Sequence, residues 1–226
     1  MTTFKNAALL AVLALTCALA LHSGLLFSGT ARAQGTKPVY APVASGAYLI
    51  DPAHSTIGFA IRHLEINWVT GRFRDFRGMI NYDAADIAKS TVEFVAKVES
   101  VDTSTPARDA HLRNQDFFDA PKFPEMTFKS TRVERKGKDS YILHGNLTIK
   151  DVTKAISFPF VMTGAIKDAK GNTRFGIEAK TTINRRDYGI NYGGPMPTGG
   201  LDIGNEVMIS LNLEALQPAP KPVVGQ

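Results

Sequence analysis

The sequence predicts an all-β domain of about eight antiparallel strands, arranged as a sandwich or a barrel and interrupted by one short helix. Three observations carry this expectation. Apolar residues recur at every second position through most of the chain, as strands with one buried face require. Gly-, Asn- and Asp-containing turn signals separate these runs. Only one segment carries convincing helix start signals.

Ile57, Phe59 and Ile61 make the first apolar face. In residues 91–98, Val92, Phe94, Ala96 and Val98 oppose Thr91, Glu93 and Lys97, with Val95 breaking the polar side. Tyr141, Leu143, Gly145, Leu147 and Ile149 oppose Ile142, His144, Asn146 and Thr148. Ile156, Phe158, Phe160 and Met162 share a face, and Pro159 marks an edge or bulge there because proline cannot donate to a ladder. Phe175, Ile177, Ala179, Thr181 and Ile183 oppose Glu178, Lys180 and Thr182; Val207, Ile209, Leu211 and Leu213 close the series. Turns fall at residues 136–139, at 168–172 and in the Gly-rich stretch 193–204. Ser104 or Thr105 can cap a helix, Pro106 suits its first turn, and residues 108–115 have helical composition. Residues 83–89 are expected to form a short helical turn.

The N-terminus reads as a secretory signal. Lys5 precedes an apolar run over residues 7–20, and Ala31-Arg32-Ala33 supplies small residues two apart before Gln34. His22, Ser23 and Gly24 interrupt the apolar stretch, which opposes an uncleaved spanning anchor of about 20 apolar residues. The expected organisation is a signal peptide at 1–33, a flexible segment at 34–46, one barrel-like domain at 47–216 and a Pro-rich tail at 217–226. Cys17, the single cysteine, leaves with the signal, so the mature chain has no disulfide, cysteine metal site or thiol nucleophile. Removing Lys5 and Arg32 from the 26 basic residues leaves 24 against 21 acidic ones, a net charge of +3. That charge is small and interspersed, and no nucleic-acid partner is expected.

Signatures of familiar catalysis are missing: there is no G-x-S-x-G elbow and no Gly-rich phosphate loop. His54, His63, His111 and His144 form no metal-type pair, and neither a metal nor a cofactor is expected. Two polar constellations remain. In Asp51-Pro-Ala-His54-Ser55, the acid or hydroxyl can satisfy the imidazole or nearby backbone. Arg108, His111 and Leu112 share one helical face by their spacing. That face can meet a ligand headgroup or pin the helix to neighbouring strands. Eleven of the 13 phenylalanines follow residue 33, with Trp68 and five of the six methionines. Such apolar faces on a ring of strands suit either a packed interior or a cavity, and an eight-stranded barrel is wide enough for one small ligand.

Several short motifs then resemble the YceI-like family. They are Tyr48-Leu-Ile-Asp51-Pro-Ala-His54-Ser-Thr-Ile-Gly-Phe59, Gly71-Arg-Phe73-Arg-Asp-Phe76-Arg-Gly78, Arg108-Asp-Ala-His-Leu-Arg113-Asn-Gln-Asp116-Phe-Phe-Asp119, Pro124-Glu-Met-Thr-Phe-Lys-Ser130, Gly145-Asn-Leu-Thr-Ile-Lys-Asp-Val-Thr-Lys154 and Thr182-Ile-Asn-Arg-Arg-Asp-Tyr-Gly189. Asp151 and Ala155 stand where the family often has Gly and Pro. The resemblance implies an extended, lipocalin-like, eight-stranded antiparallel barrel holding a polyisoprenoid or similar long-chain amphiphile, a periplasmic location in many members, and sometimes a homodimer. It supplies no agreed catalytic residues. On this reading Phe59, Trp68, Phe73, Phe94, Leu147, Phe158, Phe160 and Ile177 are expected to line the cavity. His54, Arg108 and His111 are candidates for polar contacts with the ligand, and transient membrane contact would accompany loading. The competing reading is a hydrolase or isomerase working through Asp51 and His54 or through Asp109 and His111. A third is a structural or stress-related barrel with a fully packed interior.

Overall fold

The computed structural model describes residues 38–219. The expected signal peptide with Cys17 and its cut after Ala33, the start of the 34–46 segment, and the end of the Pro-rich tail lie outside the described residues. Twelve strands form a single antiparallel sheet that closes on itself through β11 (Thr173–Asn184) and β12 (Ile203–Gln217).

The twelve reduce to a simpler plan because three pairs are bent halves of one strand. β1 (Gly46–Ile50) continues as β2 (Thr56–His63), β3 (Asn67–Phe73) as β4 (Phe76–Tyr82), and β5 (Thr91–Lys97) as β6 (Val101–Asp102). β1 pairs with β4 and β2 with β3, so the first two long strands make one bent hairpin. β7 (Glu125–Arg135), β8 (Ser140–Ile149) and β9 (Val152–Met162) follow in order, and β12 returns beside β1 and β2. The result is the expected closed eight-stranded antiparallel barrel. The small β10 (Ile166–Lys167) is appended to β11. Each bend changes which parity faces inward: Tyr48 and Ile50 before the first bend, Ile57 and Phe59 after it; Phe73 before the second, Phe76 after it.

Side chains of alternate residues enter the barrel, and the buried set centres on Tyr48, Ile50, Ile57, Phe73, Phe76, Ile80, Ala96, Val101, Phe175 and Ala215. Gly71 faces inward where a Cβ would come within 2.8 Å of the Thr103 methyl and closer still to the Phe59 ring, so the missing side chain gives Phe59 its place. Pro159 sits where β9 has one open edge: pairing with β11 covers only Phe160, Val161 and Met162. The backbone preceding β1 is tied down rather than loose. Ala41 and Ala165 exchange hydrogen bonds of 2.9 and 2.7 Å, and Val43 is buried.

At one end the β2–β3 connection is a tight turn with Leu64 and Glu65 both left-handed (φ 52° and 59°). Three residues, 64–66, separate the strand ends, and a mirror-type turn of this kind is usually made by Asn-Gly. Here the conformation is held from outside: Leu64 N–H donates to Asp202 O (2.8 Å) and Leu201 N–H to Glu65 Oε1 (3.2 Å). Helix α1 (Pro106–Arg113) lies at the same end, in the β6–β7 connection. Its cap residue is Thr105, whose hydroxyl accepts from Arg108 instead of from the helix backbone, and it stops at Asn114, short of the expected 115. Residues 83–89 condense to a single 3-10 turn, Ile87–Lys89, capped by Asp86.

Phe117, Ile149, Tyr188 and Ile190 form a separate buried cluster near this end. The Tyr188 hydroxyl is fully buried and has no hydrogen-bond partner among the described residues. A buried unmatched hydroxyl costs about 1–3 kcal/mol. Tyr188→Phe is therefore expected to raise unfolding free energy by about 1 kcal/mol, read from denaturant titration; a destabilised variant would show that the hydroxyl has a partner in solution.

Candidate functional site

The inward faces do not fill the barrel. They enclose a cavity of about 480 Å³. That is within the range of about 300–1,000 Å³ that houses small ligands. On β11 the wall runs from Phe175 to Ile183, eight residue steps that span about 26 Å of extended strand. The lumen is therefore long rather than round.

Seven of the eight expected lining residues stand in the wall: Phe59, Phe73, Phe94, Leu147, Phe158, Phe160 and Ile177. Trp68 does not, which corrects the sequence expectation. In β3 the inward residues are Val69, Gly71 and Phe73, so Trp68 points outward. There it is cross-strand from Arg62, whose guanidinium lies 4.6 Å from the ring centroid. A cation over an indole face is attractive even when exposed.

The polar candidates divide. Arg108 and His111 line the cavity at the α1 end, with Leu112 on the same helical face. His111 sits in a small aromatic box, edge-on to Phe117 (5.0 Å) and Tyr192 (4.8 Å), and its Nε2 is 2.9 Å from Asp116 Oδ2. Asp109 is turned away, accepting from the Thr103 N–H (2.8 Å) and hydroxyl (2.5 Å). His54 lies outside the cavity wall, at the bend between β1 and β2, with Nδ1 2.9 Å from Asp51 Oδ2. The cause is the bend itself, which takes residues 51–55 out of the alternating register.

Sequence reasoning missed Arg62, His63, Arg185 and Tyr192, all of which also line the α1 end. Arg185 had no signal: it belongs to a 3-10 turn, Arg185–Tyr188, where strand parity says nothing about direction.

The β1–β2 bend is locked by charge. The Arg174 guanidinium bonds Asp51 Oδ2 (2.7 Å), Asp168 Oδ2 (2.7 Å) and Glu214 Oε1. Ser55 Oγ accepts from Glu214 N–H (2.9 Å). Asp51, His54 and Glu214 hold donor atoms within 4.8 Å of one another, a spacing that suits a metal ion. Arg174 already bonds both carboxylates, however, so the place of a cation is taken by the protein's own. Its hydrogen bonds, with those of His54 and the Ala53 N–H, hold the Asp51 carboxyl down from 3.8 to about 2 against the opposing effect of burial. Asp168 is lowered for the same first cause. Because the folded value lies below the unfolded one, this stabilisation is complete above about pH 4 and is lost as pH falls towards 2. The melting temperature is expected to drop through that window, and to drop less steeply in Arg174→Gln; matching acid profiles would remove the cluster from the account.

The chain can now be set beside known proteins. Residues 48–215 match the profile described as the YceI-like domain. The chain belongs to the YceI-like family. A UPF0312 protein of Shewanella putrefaciens is 40% identical over 154 residues, 66% of this chain and 81% of the relative. One from Azotobacter vinelandii is 38% identical over 175 residues, 76% and 85% of the two chains. Among solved structures, the Campylobacter jejuni YCEI protein superposes with a TM-score of 0.60 at 29% identity, covering 70% of this chain and 91% of that one. BcnA of Burkholderia cenocepacia (TM-score 0.62, 22% identity, 73% and 98% covered) shares the fold. So does a polyisoprenoid binding domain from Saccharophagus degradans (0.57, 16%, 76% and 98%).

In this YceI-like barrel several of the quoted motifs fall at joints, whereas residues 125–130 lie within β7. Asp51 to Ser55 makes the first bend, and Arg74-Asp75 the second. Arg108 to Asp119 builds the α1 end. In the last motif, Asn184 caps its turn by accepting from Arg186 N–H (3.0 Å), and Gly189 ends it in a left-handed conformation (φ 71°).

Proposed function

We propose that this protein is a non-catalytic carrier or sequestering protein for a polyisoprenoid or similar long-chain amphiphile, held inside the barrel. The carrying observation is the long cavity whose walls are aliphatic and aromatic side chains from every long strand, with polar groups gathered mainly at the α1 end. An apolar chain gains from such a lumen in proportion to the surface it hides. At about 0.8 kcal/mol per CH₂, each five-carbon prenyl unit contributes roughly 3–4 kcal/mol. A few units therefore offset association and ordering costs of about 4–15 kcal/mol. The polyisoprenoid binding named for the Saccharophagus degradans domain agrees with this reading.

A binding role also fits the disposition of the acid–base groups. Asp51 and His54 are occupied with each other and with Arg174, Asp109 with Thr103, and His111 with Asp116. None of these side chains holds a serine hydroxyl as a nucleophile would be held. The N-terminal signal pattern supports work in the periplasm, where a water-insoluble chain needs protein cover between membranes, and transient membrane contact would serve loading and release.

The test is extraction of the protein purified from a periplasm, followed by mass spectrometry, together with titration by a prenyl quinone. A co-purified long-chain lipid and saturable uptake are expected. Finding neither would sink the proposal.

A further inference from the structure

We infer that the tip of the β2–β3 hairpin docks the barrel onto a lipid bilayer, with Leu64, Ile66 and Trp68 entering the interface and Arg62 facing its phosphates. The inference rests on the carrier reading and adds to it the surface through which the cavity meets its source of lipid.

The tip is apolar where hairpin tips are ordinarily built from Gly, Asn, Asp and Ser. Residues 63–68 are all exposed, and three of them are large and apolar: Ile66 at 79%, Leu64 and Trp68 at 38% each. A single exposed apolar residue is commonplace, but three within five positions mark a contact surface. Leu64 is also left-handed (φ 52°), a conformation that glycine adopts freely and leucine does not. Facing water, a leucine there gains neither burial nor an easy backbone.

The tip stands at the mouth of the cavity. Arg62 and His63, immediately before it, belong to the lining, as does the exposed Tyr192. On the outer side the Arg62 guanidinium lies 4.6 Å from the Trp68 ring centroid, and among the described residues no carboxylate pairs with it. Indole and arginine together suit an anionic interface, the ring at headgroup level and the charge reaching for phosphate. Polar groups of the tip are also prepared for a dry setting. Leu64 N–H donates to Asp202 O (2.8 Å) and Ile66 N–H to His63 O (3.2 Å). Glu65, the one acid in the tip, is tied back by accepting from Leu201 N–H (3.2 Å). Backbone groups left unmatched would oppose entry into lipid.

A bilayer is the occupant that this patch fits. A stable protein interface hides about 800 Å² on each partner, roughly 20–30 residues a side. Leu64, Ile66, Trp68 and Tyr192 supply far less. Interfacial docking needs only a few apolar side chains beside a cation, because the inserted groups lie between headgroups and upper acyl chains.

Flotation with vesicles of phosphatidylcholine and phosphatidylglycerol, paired with transfer of a prenyl quinone out of them, is the test. The wild type is expected to float with the vesicles, less so as salt rises. Ile66→Asp is expected to lower partitioning at least about tenfold and to slow transfer from vesicles. Its melting temperature, and its uptake of the same quinone from detergent solution, are expected to match the wild type. Ile66→Trp keeps an apolar group at the tip and should float at least as well as the wild type. Met79→Asp, on the exposed outer wall of β4 at the far end of the barrel, is expected to change nothing. A wild type that does not float, or an equal loss in Ile66→Asp and Met79→Asp, would overturn the inference and leave the carrier reading standing. Flotation that depends on Ile66, without uptake of quinone from either source, would overturn the carrier reading alone. A concentration-dependent dimer lost in Ile66→Asp, with no flotation, would assign the tip to a second copy of the chain instead.

Discussion

Ala179→Trp is expected to reduce prenyl-chain binding by about a hundredfold, close to 2.8 kcal/mol, while the barrel remains folded. Ala179 lies on β11 between Ile177 and Thr181, beside Phe160 on one neighbouring strand and Leu211 on the other. It faces the lumen and packs with the cluster of Phe128, Val133, Leu143 and Phe158. Its methyl group leaves the passage open there. An indole at the same Cβ would occupy the space through which a long chain must thread. The variant also separates a cavity from a packed core. A lumen of about 480 Å³ can receive the added ring with little strain. A filled interior would charge about 1–3 kcal/mol for overpacking. Lost uptake with an unchanged melting temperature is the expected pair of results. Wild-type uptake would mean that the chain does not run past Ala179, and strong destabilisation would favour a packed barrel.

Tyr48→Ala should have the largest effect on stability, about 3–5 kcal/mol. Tyr48 has no exposed surface, and its ring stands edge-on to Phe175 at 4.9 Å with an interplanar angle of 77°. Its hydroxyl donates to Ala44 O (2.9 Å), which fastens the segment before β1 to the barrel. Tyr48 is not part of the cavity wall, so no ligand or lumen water can take its place. Against a total stability of about 5–15 kcal/mol, such a loss leaves a marginal domain. Tyr48→Phe keeps the ring and should cost only about 0.5–1.5 kcal/mol, the net worth of one hydrogen bond. Denaturant unfolding of the two variants reads this difference. A Tyr48→Ala protein within about 1 kcal/mol of wild type would contradict the packing described, since truncation of a buried aromatic rarely costs so little.

The strand faces were legible because a strand with one wet and one dry side must alternate, and β8, β11 and β12 do so with few exceptions, such as Ile142 and the exposed Met208. The same pattern could not separate a packed interior from a hollow one, since both require apolar residues pointing inward. The bends were harder. Asp51 to Ser55 and Arg74-Asp75 reset the inward parity, and nothing in their composition says by how many residues. Trp68 was misplaced for a related reason. Its size suggested burial, while the true inward row of β3 is thinned by Gly71. Arg62 and Arg185 were invisible as wall residues because a long cationic side chain at a strand end or in a turn can reach either way. The rim of the barrel is thus the part that sequence pattern describes least.

Trp68 has a consequence of its own. It is the only tryptophan in the chain, and it stands on the outer wall against Arg62, which borders the cavity. The intrinsic indole emission is therefore a lookout stationed at the doorway, with no view of the chamber. It would respond when something disturbs the Arg62 stack, and would stay silent while an apolar tail shifts deep in the lumen.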